Sequence, residues 1–395
     1  MMRRYDTIIV GGGIIGASLA FELVQAKQSV LLLDRQEPGR EASWAAAGTI
    51  SPAPDPGSLA IVPLGLESFR LYPEFIAAIE QASRMRAGFH ANGAMELFLE
   101  PQGEGERDSR LRELSSHGIR TQTLSLDEAR RREPGLGPAV RAALWIADEA
   151  DVDPRVVTGV ALTAAANAGV EIRGDSEVQA VVVENARCEG VLAVHARGIP
   201  TDSHRKVQIS EKIAARNVVI AAGWRCAEIA GVESFAPTLP VRGQMVALGA
   251  VPGAPHTILR CEHGYMAPRE DGRVVVGSTL EPGITQKHPT PAGLRKILRA
   301  ATEMVPALGE AAVLEAWAGL RPDSPDHLPI IGPTDVQGLF IATGHYRNGM
   351  LLAPATAKYL SEWIVQGKIS NYLAPFSPLR FAKARGVTRG ATRSH

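Results

Sequence analysis

Four β-branched residues, Thr7-Ile8-Ile9-Val10, run directly into Gly11-Gly12-Gly13-Ile14-Ile15-Gly16, and this junction constrains the fold more than any other stretch. The apolar run predicts a strand, the glycines a tight turn, and the pattern from about Ile14 to Lys27 an amphipathic helix. A second strand, Ser29 to Leu33, then ends in Asp34, which completes a βαβ unit. Within Gly11-x-Gly13-x-x-Gly16 the glycines serve the turn, close backbone approach to a pyrophosphate, and helix-to-strand packing. The helix N-terminus favours the negative charge. Asp34 stands where a carboxylate accepts hydrogen bonds from an adenosine ribose. Arg35 can form a local ion pair or meet a 2′-phosphate, and the acid before it disfavours the second. The fingerprint leaves NAD and FAD equally open.

The remaining elements alternate between two patterns. Glu41 to Pro63 is Ser/Ala/Pro-rich and reads as a long functional loop. Helices are predicted at Leu64–Arg86, Glu106–His117, Leu126–Arg132, Asp153–Ala168, Ala292–Val305 and Met350–Gln366. Strands are predicted at Gly93–Leu99, Ala142–Ile146, Val170–Ile172, Asn217–Ala222, Leu339–Thr343 and near Val313–Ala318. Glu177–Glu184 and Val191–Ala196 read as a hairpin, and Leu239–Thr279 as short antiparallel strands between Gly/Pro turns. The fold class expected is α/β. A discontinuous Rossmann-like domain (1–86, 148–225 and 325–368) carries a second domain (87–147 and 226–324) built on a mixed, largely antiparallel sheet.

Composition narrows the partners. Lys plus Arg and Asp plus Glu both number 42, so no broad basic surface exists for nucleic acid. From 376 to 395 there are five bases and no acid, leaving 37 bases against 42 acids elsewhere. That tail reads as solvated and poorly ordered. The three cysteines, Cys188, Cys226 and Cys261, include no CxxC, and the ten histidines no HExxH, so neither a disulfide framework nor a metal site is expected. Met1-Met2-Arg3-Arg4 looks superficially like a signal peptide. Asp6 and the four glycines that interrupt Thr7–Phe21 argue against one, and spanning a bilayer takes about 20 apolar residues. A cytoplasmic protein is expected.

Three further segments are distinctive: Glu41-Ala-Ser-Trp-Ala-Ala-Ala-Gly-Thr49, Trp317-Ala-Gly-Leu-Arg-Pro322, and Gly344-His-Tyr-Arg-Asn-Gly-Met-Leu-Leu-Ala-Pro354. Together they resemble the D-amino-acid oxidase family of FAD enzymes, and its glycine oxidase branch in particular, across the chain to about Gln366. The resemblance implies that Ser43, Ala46, Ala47, Gly48 and Thr49 meet the flavin ring, where small residues allow close backbone approach. It implies that the Val178 backbone meets the adenine, with Ala222 and Gly223 beside the dinucleotide. His345, Tyr346, Arg347, Asn348, Gly349 and Met350 would place backbone N–H groups and a helix dipole against the ring. Arg321 would bind the substrate carboxylate through its planar fork, assisted by Tyr265. Arg347 and His263 would stand close by. Taken alone, Arg321 reads more readily as a surface ion pair at a loop start, Tyr265 has the reading of a core tyrosine with a satisfied hydroxyl, and His263 reads equally as a turn histidine.

The activity so implied is hydride transfer from the α-carbon of a small amino acid, glycine first, to noncovalently held FAD. Glyoxylate, ammonia and hydrogen peroxide result, with dioxygen as co-substrate and a role in making the thiazole of thiamine. No cysteine follows Cys261 and no histidine lies within 41–50, the places where relatives tether flavin. Leu280 stands where glycine oxidases often carry methionine. An oxidase or dehydrogenase for sarcosine or D-amino acids, a noncatalytic FAD subunit and an NAD-dependent dehydrogenase are the competing readings, and homo-oligomerisation stays open.

Overall fold

A computed structural model describes residues 4–53, 59–199 and 202–381. Its central sheet has the order Ile330–Pro333, Leu339–Thr343, Asp202–Ile220, Tyr5–Val10, Val30–Leu33, Glu171–Arg173. Neighbours along this order run parallel except the first pair, and Ser176–Glu184 and Arg187–Ile199 add antiparallel pairs beside Asp202–Ile220. Tyr5–Val10, Val30–Leu33, Leu339–Thr343 and the end of Asp202–Ile220 are apolar on both faces because both are covered. Ile9, Leu32 and Val219 point to the helices Ile14–Gln25, Val62–Ser83, Pro154–Asn167 and Gly349–Gln366. Their neighbours Ile8, Leu31, Leu33, Val218 and Ile220 point to a second layer containing Val178, Val191 and Ile229. The alternation is the period of two that a strand imposes.

The second sheet has nine strands drawn from 94–146 and 239–323. Its ladders are antiparallel apart from Ile258–Cys261 against Ala94–Phe98. Val246, Leu248, Val274 and Val276 pack against helix Pro291–Met304 through Ile297, Ala301 and Met304. Met245, Ala247, Val275 and Trp317 turn to the opposite face, where Ala45 and Ala47 lie. That face looks toward the first unit.

Several sequence expectations need correction. The segment 41–63 contains a one-turn helix, Ala42–Ala45, and a strand, Thr49–Ile50, that pairs with Ala150–Asp151. The apolar strand Asn217–Ala222 is the end of a much longer one, Asp202–Ile220, whose polar stretch pairs with Arg187–Ile199. Ile330–Pro333 and Thr121–Leu124 are strands that the pattern missed. The strand begun at Val313 continues to Asp323, so Arg321 lies within a strand and not at a loop start. Pairing with Leu239–Leu248 along its full length extends it, and Pro322 is tolerated because, among the described residues, this strand has a partner on one side only. The tail reading also changes at its start, since Phe376 is buried and Arg380 donates to Asp326 at 2.7 and 3.0 Å. Residues 382–395 lie outside the described ones.

One helix contact orients the site. Pro354, inside Gly349–Gln366, has no N–H to give the Met350 carbonyl four residues earlier. The Tyr72 hydroxyl donates to that carbonyl at 2.7 Å. Ser68 Oγ donates to the Leu351 carbonyl at 2.6 Å and accepts from Ala355 N–H at 3.2 Å. Tyr72 of Val62–Ser83 thus takes over the hydrogen bond the proline removed, and Ser68 bridges the next carbonyl and N–H of the same turn.

Candidate active site

A cavity of about 1250 Å³ runs between the two sheets, lined at one end by Gly11, Gly13, Ile14, Ile15 and Asp34 and at the other by Tyr265 and Arg321. At the first end each glycine has a physical reason. A Cβ on Gly11 would stand 2.4 Å from the Ala221 carbonyl, and one on Gly16 1.9 Å from the Gly11 carbonyl, so both are pinned by packing. Gly13 meets only Ser43 Oγ, at 3.1 Å, and leaves backbone open to the cavity. Helix Ile14–Gln25 lacks a capping side chain of its own. Ser43 supplies one from the loop, accepting from Ile14 N–H at 2.9 Å.

Asp34 accepts from Gly12 N–H at 2.8 Å and Gln36 N–H at 3.1 Å. Burial pushes its carboxyl above the usual range, while those two N–H groups pull the other way. Arg35 pairs with Glu41, which Lys287 also reaches at 3.0 Å. The local ion pair is therefore the arrangement observed for Arg35, and its guanidinium faces an acid. Val178, Ala222 and Gly223 line the cavity farther along.

The loop carrying Ala46, Ala47, Gly48 and Thr49 is held from outside. Arg269, itself buried beside Asp151, donates to the Ala47 carbonyl, and the Gly48 carbonyl accepts from Val152 N–H at 2.9 Å. Trp317 Nε1 donates to the Ala45 carbonyl at 3.0 Å. The Arg155 guanidinium lies 3.6 Å from the Trp44 ring and 4.8 Å from that of Trp317, and both its outer nitrogens bond Glu315 at 2.9 Å. Arg155 and Glu315 belong to no motif, and Trp44 stands in the distinctive 41–49 segment without an assigned role; the aromatic clamp exists only once three distant segments meet.

The segment 344–350 closes the cavity wall. Tyr346 takes φ +50° and its N–H donates to the Pro322 carbonyl at 2.8 Å, linking the turn to the strand that bears Arg321. Gly349–Gln366 starts with no side-chain cap, and Gly349 and Met350 line the cavity. His345 is turned into the protein, with Nε2 3.1 Å from Thr356 Oγ1. Burial pushes its pKa down to about 3, so the imidazole is neutral at any physiological pH. It supplies no proton there.

Arg321 donates to Ser278 Oγ at 2.7 Å and to the Thr279 carbonyl at 3.2 Å, both neutral acceptors. Burial lowers its pKa, the nearby Tyr265 phenol opposes that, and the charge of Arg347 adds to it. Tyr265 Oη lies 3.6 Å from Met245 Sδ. Arg347 and His263 are exposed residues on the cavity lining, as is Leu280. The structure thus gathers Tyr265, Arg321 and Arg347 at one end, leaves His263 on a solvent-facing turn, and adds Ser278 and Thr279. No spacing in the sequence marks those two. Among the described residues no cluster of potential metal ligands occurs, and no helix is long and apolar enough to cross a membrane.

Comparison with known proteins gives the family and the fold. The family described as FAD dependent oxidoreductase matches residues 6–363. A glycine oxidase from Pseudomonas putida is 31% identical, over 94% of this chain and 98% of its own. The bifunctional protein ThiO/ThiG of a Synechocystis species is 34% identical over 96% of this chain, which spans 55% of that longer protein. Among solved structures, glycine oxidase from Geobacillus kaustophilus superposes with a TM-score of 0.85 at 29% identity, covering 96% of this chain and 99% of that one.

Proposed function

The chain belongs to the family of FAD dependent oxidoreductases, and on that premise we propose that it oxidises glycine to glyoxylate and ammonia, reducing dioxygen to hydrogen peroxide. Sarcosine and small D-amino acids are its secondary substrates, and its product serves the thiazole of thiamine. The observation that carries this reading is Arg321, a cavity-lining guanidinium whose hydrogen-bond partners are a hydroxyl and a carbonyl. A desolvated positive fork with neutral partners is matched by one small carboxylate.

The residues present fit FAD. Gly11, Gly13 and the helix start at Ile14 offer open backbone to a pyrophosphate, and the oriented Asp34 carboxylate can accept from a ribose. The small side chains of 45–49 and 221–223 leave room for a flat ring, with the uncapped helix start at Gly349 beside it. Bound there noncovalently, FAD supplies a hydride acceptor that dioxygen re-oxidises. The chain's own contribution is orientation: Arg321 grips the carboxylate, Tyr265 adds a donor, and the α-carbon is held toward the ring site. The amine enters neutral, so no side chain need take its proton.

Anaerobic mixing of the holoenzyme with glycine, sarcosine and D-alanine tests the reading, glycine being expected to bleach the flavin at the lowest concentration. Arg321→Ala should retain FAD and raise the half-saturating glycine concentration about 100-fold, the loss of charge-assisted hydrogen bonds being worth ~2–3 kcal/mol. Unchanged half-saturation would reject the assignment.

A further inference from the structure

Strand Leu239–Leu248 carries a glycine in its interior, at 243, opposite Gly319 of the partner strand. A glycine there weakens a strand. Its backbone is not in the left-handed region, so the conformation itself admits any residue. Space is what excludes a side chain. A Cβ on Gly243 would stand 2.2 Å from Arg321 Nη1, 2.4 Å from Nη2 and 2.5 Å from Cζ, its three nearest heavy atoms. Arg321 starts opposite Val241, and its side chain folds back along the sheet until the guanidinium covers Gly243. Ser278 Oγ and the Thr279 carbonyl hold it by its outer nitrogens.

We infer that Gly243 is a positioning residue: the space above its Cα is the seat in which the carboxylate-binding guanidinium of Arg321 lies. This rests on the proposed role of Arg321. A methyl group at 243 lifts the guanidinium by about 1 Å or more, because carbon contacts settle near 3.5–4.0 Å. Its hydrogen bonds to Ser278 and Thr279 are lost, and the fork meets the carboxylate displaced. Errors of that size in a positioning contact cost up to about 100-fold.

The test uses the holoenzyme and its Gly243→Ala, Ser278→Ala and Arg321→Ala variants, with Gly243→Ala/Arg321→Ala and Ser278→Ala/Arg321→Ala. Acetate affinity is read anaerobically from the perturbed visible spectrum of bound FAD, and KM is measured for glycine. Gly243→Ala should weaken both at least tenfold with FAD content and Tm unchanged. In the Arg321→Ala background the same substitution should change neither by more than about twofold, because neighbours acting through one group do not add. Wild-type affinities in Gly243→Ala, or an undiminished penalty without Arg321, overturn the inference while leaving the role of Arg321 intact. Wild-type acetate binding in Arg321→Ala overturns both. If Gly243→Ala does not fold, Ser278→Ala removes one side of the seat without adding volume. It should weaken acetate about threefold or more through Arg321 alone, and an effect that persists in the Arg321→Ala background overturns the inference.

Discussion

The two ends of the cavity are built from different materials. At the Gly11–Gly16 end the polar groups are mostly backbone, and their partners Asp34 and Ser43 come from the same early stretch of chain. At the Arg321 end they are mostly side chains, brought from strands Gly264–Pro268 and Val313–Asp323 and from the turn at Ser278, over Gly243 of strand Leu239–Leu248. The first end is largely a local turn of one βαβ unit, with Ala221 the distant residue that packs on Gly11. The second exists only when three strands are in register, so it is the more easily retuned by single substitutions. Each end desolvates charge: burial pushes the Asp34 carboxyl up and the Arg321 guanidinium down. A fixed ring of backbone donors suits an invariant cofactor, and a seated side chain suits substrate choice.

Breaking the local end should have the largest effect. Gly16→Val drives a branched carbon into the Gly11 carbonyl, an overpacking of at least about 3 kcal/mol. Purification should yield colourless protein or none; a yellow variant with wild-type FAD content would show that this turn is less rigid than described.

The next effect concerns pH. Folded His345 has its pKa pushed down to about 3 from an ordinary 6.5. Below about pH 6.5 the unfolded chain takes up a proton that the folded one refuses. Stability is therefore present above that pH and lost as pH falls toward about 3, by up to ~1.4 kcal/mol per unit from this group. Urea midpoints between pH 7 and 4.5 should fall less steeply for His345→Asn than for the wild type. Equal slopes would mean that another group sets the acid limit.

The smallest effect sharpens the far end. Tyr265→Phe removes one donor beside Arg321, worth about 1 kcal/mol, so KM for glycine should rise roughly fivefold with FAD retained. A rise matching that of Arg321→Ala would make the phenol an equal partner in carboxylate binding.

Legibility in the sequence followed the range of the interactions. The strand to Val10, the glycine turn, helix Leu126–Arg132 and strand Ala142–Ile146 were readable because near neighbours along the chain specify them. Ser125 even completes a capping box with Glu128. Arg321 drew attention through its resemblance to a known family, yet its placement in a strand was missed because Pro322 imitates a strand end. Ser278, Gly243 and the Arg155 clamp on Trp44 were not legible at all. Each matters through a partner 42 or more residues distant, as the Arg321 to Thr279 bond illustrates.

What the residues alone determined is a dinucleotide turn opening a βαβ unit and the absence of any metal-binding spacing; the small-residue loop at 41–49 and Arg321 stood out through their resemblance to a family. The first two follow from local backbone preferences and side-chain functional groups. Tertiary structure decided which groups remain available. It pairs Arg35 with Glu41, buries the His345 ring against Thr356 at the cavity wall, and leaves the Arg321 fork with neutral acceptors over Gly243. The physical reason is that charge pairing and burial depend on distance in space, and only the packing of two sheets across one cavity sets those distances.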